Sequence, residues 1–263
     1  MFRKGAQGMR TLACAVLLAF GGGVAAAQAK SPAHTQTLFP EYYPIGGLGI
    51  TEAPYSARQT TVRIQTAENG QKFSTSEVSL WWRDAEGRTR QERLMKMPSG
   101  QEYRSIDVTD PNTRIRMTWS TPPAGVAIGT RSVTIWPLLA KPKIGPPRWR
   151  ARTTGSWPNG YSEVILEQQQ VNGIDALGLR ITGVMTLGTD QNGHDLKGSS
   201  LLEVWVSPAL GIVMREISDN PRFGRSLSEL SDVVGGDPDP ALFSPPAGYQ
   251  VRDMRQNDGA GPN

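Results

Sequence analysis

Apolar and polar residues alternate in short runs along most of the chain. In the first clear run, Val62 and Ile64 alternate with Arg63 and Gln65. Runs of the same kind lie at 78–80, 115–119, 133–135, 179–181, 202–206 and 212–214. Such alternation is typical of β-strands that bury one face and leave the other in contact with water.

Turn signals separate these runs at the spacing of β-hairpins. Asn69-Gly70 and Asn192-Gly193 are examples, since Asn and Gly tolerate the positive φ angles of tight turns. The sequence therefore predicts a mainly β protein, with a single curved antiparallel sheet, or half-barrel, of roughly nine to eleven strands. Short helical turns are predicted at 228–234 and 239–243.

The first 29 residues have the composition of an export signal. Arg3, Lys4 and Arg10 form a positive start, an apolar run follows over 11–27, and small residues flank Gln28. We predict cleavage after this segment and a periplasmic or secreted protein. The remaining chain is predicted to divide into a poorly ordered arm (30–57), one β-rich domain (58–251) and a flexible tail (252–263). Within the domain, the Pro-rich stretch 137–160 is either a lid or a plain connector.

Composition changes once the signal is removed. The single cysteine, Cys14, lies within the signal, so the mature chain has no disulfide. Its charge falls from +4 to +1, because the signal holds three basic residues and no acidic one. We therefore expect no nucleic-acid partner and at most peripheral contact with a membrane.

The two halves of the mature chain carry opposite charge. Residues 30–160 hold 18 basic and 10 acidic side chains, whereas residues 161–263 hold 7 basic and 14 acidic ones. Two interpretations remain open. Basic and acidic side chains pair across the strands of one sheet, or the halves form a dipolar surface that steers a charged partner.

Residue types that carry catalysis are scarce. The two histidines are His34, in the arm, and His194, in an apparent turn, and no Gly-x-Ser-x-Gly motif occurs. We expect no catalytic residue, no metal site and no cofactor, and the protein is not predicted to be an enzyme. Among enzyme classes, a hydrolase is the one that the sequence disfavours least.

Tryptophans on the predicted strands are candidates for an apolar binding site, although they serve equally well as core residues. Trp81 and Trp82 must face opposite sides of one strand. The candidate ligand-binding residues are Trp81, Trp82, Ile115, Met117, Trp119, Val133, Ile135 and Trp205.

Several stretches resemble a group of uncharacterised exported bacterial proteins. They are 53–57, 82–92, 205–208, 219–224, 237–243 and 246–249. More distantly, the layout is similar to the lipoprotein-carrier fold of LolA-like and RseB-like periplasmic proteins. That resemblance implies a half-barrel that handles an apolar ligand or a lipoprotein.

Two functions follow as hypotheses. The first is a non-enzymatic envelope module that binds an apolar ligand, a lipid or a lipoprotein. The alternative is an envelope module for protein interaction or structure, with no small ligand. An enclosed apolar cavity of several hundred Å³, roughly the size of known ligand sites, would favour the first hypothesis. A sheet face filled by Trp and Met would favour the second.

Overall fold

A computed structural model describes residues 34–41, 47–67, 69–96, 99–122, 131–157 and 159–255. These residues all belong to the second of two compact units, Pro32–Asn263. The predicted signal peptide and residues 256–263 lie outside the described residues.

The described chain is mainly β. Its strands are β1 (Thr35–Pro40), β2 (Tyr55–Thr66), β3 (Lys72–Arg83), β4 (Thr89–Lys96), β5 (Glu102–Asp110), β6 (Ile115–Thr121), β7 (Ser132–Pro137), β8 (Trp149–Ser156), β9 (Ser162–Val171), β10 (Ile174–Thr189), β11 (Asp195–Ser207), β12 (Ile212–Asn220), β13 (Gly224–Gly235) and β14 (Gln250–Asp253). One short 3-10 helix spans Pro240–Phe243.

All the strands join one open, curved sheet, in the order β1-β8-β9-β10-β11-β12-β13-β2-β3-β4-β5-β6-β7-β14. Two antiparallel meanders, β2–β7 and β8–β13, meet where β13 pairs with β2. The short β14 pairs in parallel with β7 at one edge. The predicted fold class is thus confirmed, but the predicted nine to eleven strands are wrong, because the sheet has 14.

The miscount arises at strands without a clear alternation. The predicted arm contains β1, and Phe39 and Tyr55 within it are buried, so its described part belongs to the packed unit. The predicted crossover contains β8, which pairs with β1. Pairing with a neighbouring strand overrides weak local signals, because the backbone hydrogen bonds are satisfied in the sheet.

Of the two predicted helical turns, the first lies in a strand and the second is helical. Residues 228–234 lie in β13, between β2 and β12, so cross-strand pairing decides their conformation. At the second position, the carboxylate of Asp239 accepts a hydrogen bond from the Ala241 amide at 2.9 Å. Pro240 at the first helical position favours the same start, since its fixed φ suits a helix.

Buried apolar side chains form three clusters. The central cluster consists of Ile50, Ala53, Tyr55, Ala57, Val171, Ala176, Trp205, Ile212, Met214 and Leu230. The β1 cluster consists of Phe39, Leu179, Val204, Val206 and Val213. The plug cluster consists of Ile106, Val108, Trp119, Val133 and Phe243. The 3-10 helix closes the plug cluster through Phe243, of which 3% is exposed.

Ion pairs lie mainly within each half of the chain. Among the described residues, Arg152 and Glu163 form the one ion pair that joins residues 30–160 to residues 161–263. Typical pairs within a half are Arg116–Asp107 and Arg215–Glu229. Direct pairing across the sheet therefore neutralises little of the opposite charge of the two halves.

Candidate functional site

Strand register places six of the eight candidate ligand-binding residues on one face of the sheet. Trp82 pairs with Arg90, Arg90 with Val108, Val108 with Met117 and Met117 with Ile135. Directly paired residues of antiparallel strands point to the same side. We call this side the apolar face; the six candidates on it are Trp82, Ile115, Met117, Trp119, Val133 and Ile135.

The other two candidates pack elsewhere. Trp81 points to the opposite face and packs against the central cluster, which also contains Trp205. Each indole N–H donates to a neighbouring side chain, at 2.7 Å to Gln59 and at 2.8 Å to Glu203. Both faces of β3 are therefore covered at this point, and the eight residues do not form one site.

Trp82 and Trp119 flank a buried guanidinium in the plug cluster. The Arg90 guanidinium lies 5.7 Å from the Trp82 ring centroid and 5.4 Å from that of Trp119. It forms an ion pair with Glu92 and donates to the Leu242 carbonyl at 2.6 Å. The candidate residues of this region thus fill packed space. Their role as ligand contacts stays a prediction.

Farther along the apolar face, aliphatic side chains are not covered. Leu227 pairs with Val62 and with Ile217 across β2, β13 and β12. We define the aliphatic patch as Val62, Ile64, Val78, Leu80, Leu94, Ile217 and Leu227. Its three most open members are Ile64 (39% exposed), Leu94 (50%) and Leu227 (38%), and the others are half-buried.

Charged side chains, several of them arginines, border the aliphatic patch. Arg58 pairs with Leu80, and Arg225 pairs with Ile64. Within the described residues, neither arginine forms an ion pair, since no carboxylate oxygen lies within 4.0 Å of its guanidinium. Arg104, opposite Leu94, is also exposed and lies 3.4 Å from Glu92. Arginines therefore border the patch on several strands, and the carboxylates of Glu92, Glu203 and Asp219 lie on the same face.

The opposite face of the same strands is polar. Gln59 donates to Ser228 at 2.7 Å, and Thr61 lies 3.1 Å from the same hydroxyl. Gln91 donates to Ser79 at 3.3 Å farther along this face. These part-buried polar side chains form a hydrogen-bonded network on the face opposite the patch.

Sequence reasoning missed the aliphatic patch. The alternation at 62–64 and 78–80 was visible, and it predicted strands with an apolar face. The sequence does not show which part of that face the 3-10 helix covers, because the cover comes from residues more than a hundred positions away.

The larger surface clefts have volumes of about 380 to 510 Å³. None of these described clefts is lined by any of the eight candidate residues. One lies between the β2–β3 and β12–β13 hairpins, and another between the β3–β4 turn and residues 237–240. Their volumes are in the range of small-molecule sites, but they are open surface clefts with charged and polar lining residues, and not enclosed apolar cavities.

Some titratable groups outside the patch have clear structural partners. Arg83 is fully buried and donates to the carbonyls of Ala53 and Leu210, at 2.6 and 2.7 Å. Burial lowers the pKa of Arg83 to about 10. His194 lies 3.2 Å from Asp190 in an exposed turn. The His194 backbone amide donates to Asp190 and is the main cause that lowers the pKa of that carboxyl.

Metal-binding and membrane-spanning features were also sought among the described residues. They contain no group of three or more His, Cys, Asp or Glu side chains that is able to hold a metal ion. They also contain no helix with the length and apolar character needed to cross a membrane.

No protein-family model and no curated protein matches the chain. Among solved structures, the chain is similar to MucB in the MucA/MucB complex of Pseudomonas aeruginosa, with 13% identity and a TM-score of 0.34 over 76% of this chain and 58% of that one. A β-barrel-like protein of a domain of unknown function from Brucella abortus gives 10% identity and a TM-score of 0.34, over 72% of this chain and 100% of that one.

A LolA superfamily protein from Nitrosomonas europaea gives 12% identity and a TM-score of 0.28, over 78% of this chain and 93% of that one. The expected distant resemblance to LolA-like and RseB-like proteins is therefore confirmed as a resemblance. The chain spans about 58% of the length of the MucB chain that it matches. At these TM-scores nothing about a ligand or a partner follows from the likeness.

Proposed function

We propose that this protein is a non-enzymatic binding module of the cell envelope whose aliphatic patch docks a partner protein. The observation that supports this function is the uncovered, half-exposed patch on five neighbouring strands, with Ile64, Leu94 and Leu227 at 38–50% exposure. Contiguous exposed apolar surface rimmed by polar residues is typical of protein interaction sites.

The open form of the patch favours a protein over a small apolar ligand. A small ligand gains affinity by being enclosed, and pockets bury most of its surface. Here the candidate Trp and Met residues fill the plug cluster and the central cluster instead. This is the arrangement that favours the second of the two hypotheses drawn from the sequence.

The rim indicates the chemistry of the partner. Arg58 and Arg225 form no ion pair among the described residues, although Asp219 lies opposite Arg225 on the neighbouring strand. An apolar surface with acidic side chains that can reach these two arginines complements the patch. Opposite charges at the rim of an interface speed association and fix orientation more than they add affinity.

Site-specific photocrosslinking tests this function. A photoreactive amino acid is placed at Ile64, in the patch, and, as a matched control, at the neighbouring Arg63, which points to the opposite face. The full chain is produced in its own bacterium and irradiated in intact cells. We expect a discrete protein adduct from position 64 and none from position 63. Arg225→Glu should lower the yield of that adduct.

Two outcomes contradict the proposal. Equal adducts from positions 63 and 64 would mean that the patch has no special role. Adducts at position 64 whose added mass is that of a lipid would support the first hypothesis, the binding of an apolar ligand. Lauric acid provides an independent measurement: a saturable change in tryptophan fluorescence would also favour that hypothesis.

A further inference from the structure

A second surface feature lies at the end of the sheet, beyond Ile64 of the aliphatic patch. Phe223, at the tip of the β12–β13 hairpin, is 72% exposed, and Phe73, near the start of β3, is 49% exposed. Both rings line one cleft of about 510 Å³. Exposed aromatic rings are costly in water, so two of them beside one cleft need a reason.

The hairpin that carries Phe223 is held firmly. The Asn220 side-chain oxygen accepts the Arg222 amide at 2.9 Å, and the Arg222 guanidinium donates to the Thr186 carbonyl at 2.6 Å. Gly224 has a φ of 82°, and a Cβ there would lie 2.2 Å from the Ile64 carbonyl oxygen. The Phe223 ring therefore projects into solvent from a turn with defined hydrogen bonds.

Polar side chains line the rest of the cleft. Gln65, Thr66 and Asp219 line it from two strands; Gln65 lies on the sheet face that carries Phe73, and Thr66 and Asp219 lie on the other face at the same end. Within the described residues, their side chains make no hydrogen bond or ion pair with other side chains. Together they offer an amide, a hydroxyl and a carboxylate, which both donate and accept hydrogen bonds.

This lining excludes several classes of ligand. A purely apolar ligand would leave the polar groups of Gln65 and Asp219 without partners, which costs free energy. An anion would meet the Asp219 carboxylate, while the guanidinium of Arg222 is already engaged by a carbonyl. A metal ion would find one carboxylate only. What remains is a neutral ligand with an apolar side and many hydroxyl groups.

We propose that this cleft binds a saccharide. The C–H face of a sugar ring packs against an aromatic ring, as Phe223 and Phe73 allow. Its hydroxyl groups exchange hydrogen bonds with Gln65 beside Phe73 and, around the end of the sheet, with Thr66 and Asp219. The cleft volume lies within the range of small-molecule sites. This proposal rests on residues outside the aliphatic patch and does not depend on the proposed docking function.

Saturation-transfer NMR tests the proposal with two defined probes, chitotetraose and maltotetraose. We expect transfer from the unmodified full chain to at least one of them at millimolar concentration. Phe223→Ala and Phe73→Ala should each weaken binding about threefold to tenfold, as expected for the loss of one aromatic contact. Phe223→Trp should preserve binding. Leu139→Ala, at a residue that is 97% exposed elsewhere, is the control and should bind as the unmodified protein does.

Three results would overturn the inference. These are no transfer to either saccharide, transfer that both Phe→Ala variants leave unchanged, and displacement of the saccharide by lauric acid. Far-ultraviolet circular dichroism of each variant checks that the sheet is intact, and Phe223→Trp keeps the test valid if an alanine variant unfolds. A failed saccharide test leaves the crosslinking result at position 64 untouched.

Discussion

The buried ion pair of the plug cluster offers a quantitative test of how the apolar face is closed. The side chains of Arg90 and Glu92 are each 10% exposed. Arg90 donates from Nε to Glu92 at 3.0 Å and from Nη1 to the Leu242 carbonyl at 2.6 Å. The pair therefore ties β4 to the 3-10 helix that covers the cluster. The perturbation is a double-mutant cycle of Arg90→Met and Glu92→Leu, which keeps the volumes similar.

The structure sets the expected magnitudes. Arg90→Met leaves the Glu92 carboxylate buried without its main partner, which costs about 3–5 kcal/mol. Loss of the guanidinium beside two tryptophan rings adds about 1 kcal/mol. Arg104, at 3.4 Å from Glu92, offsets part of this loss. We expect a net decrease of about 4 kcal/mol in the free energy of unfolding.

The double variant should be more stable than Arg90→Met alone. Because both charges are removed, the main remaining cost is the Leu242 carbonyl without its donor, about 1–2 kcal/mol. We therefore expect a coupling of at least about 2 kcal/mol between the two positions. Urea unfolding followed by tryptophan fluorescence measures it, since Trp82 and Trp119 lie beside the pair.

An exposed ion pair provides the control. Arg63 and Glu77 have side chains that are 52% and 41% exposed, so Arg63→Met should change stability by less than about 1 kcal/mol. Additive effects at positions 90 and 92, with the double variant as unstable as the sum, would refute the reasoning. Such a result would mean that the ion pair is hydrated and does not hold the 3-10 helix over the plug cluster.

Two further predictions concern the hairpins and the pH dependence of stability. Gly224→Ala should destabilise the protein at least twice as much as Gly173→Ala in urea unfolding. Both glycines have a φ near 80°, but only a Cβ at position 224 would meet a backbone oxygen, that of Ile64. Equal effects of the two substitutions would show that the hairpin moves freely. For Glu203, burial raises the pKa, but the hydrogen bond from Arg180 and other favourable contacts outweigh it and lower the pKa overall. The stabilisation that Glu203 adds to the folded protein is complete above its unfolded pKa of about 4.3. It is lost as the pH falls through the lower pKa of the folded state. Glu203→Gln should therefore flatten the loss of stability between about pH 5 and 3, and an unchanged pH profile would contradict this assignment.

Much of the strand pattern was predictable from alternation, and some of the side-chain placement with it. Trp81 and Trp82 do point to opposite faces, because successive side chains of a strand alternate. Part of β13 has no clear alternation, and the sequence predicted a helical turn there. Its residues 228–234 become a central strand only because β2 and β12 lie on either side of it.

The candidate site was harder to predict than the strands. The eight proposed ligand contacts were chosen by residue type, and the structure places six of them in or against two separate clusters. The uncovered residues of the aliphatic patch are ordinary Val, Ile and Leu on recognisable strands. Their exposure depends on where Phe243 and its helix settle, which no local pattern contains.

The sequence by itself determined the fold class, the two faces of seven of the 14 strands and the start of the short helix at Asp239-Pro240, because these depend on neighbours one to four positions apart. Only the tertiary structure decided the strand order and the place where the apolar face stays open. It brings β13 against β2, with Leu227 opposite Val62, 165 positions away in the chain. Such contacts depend on which strands pair, and strand pairing is a property of the whole chain.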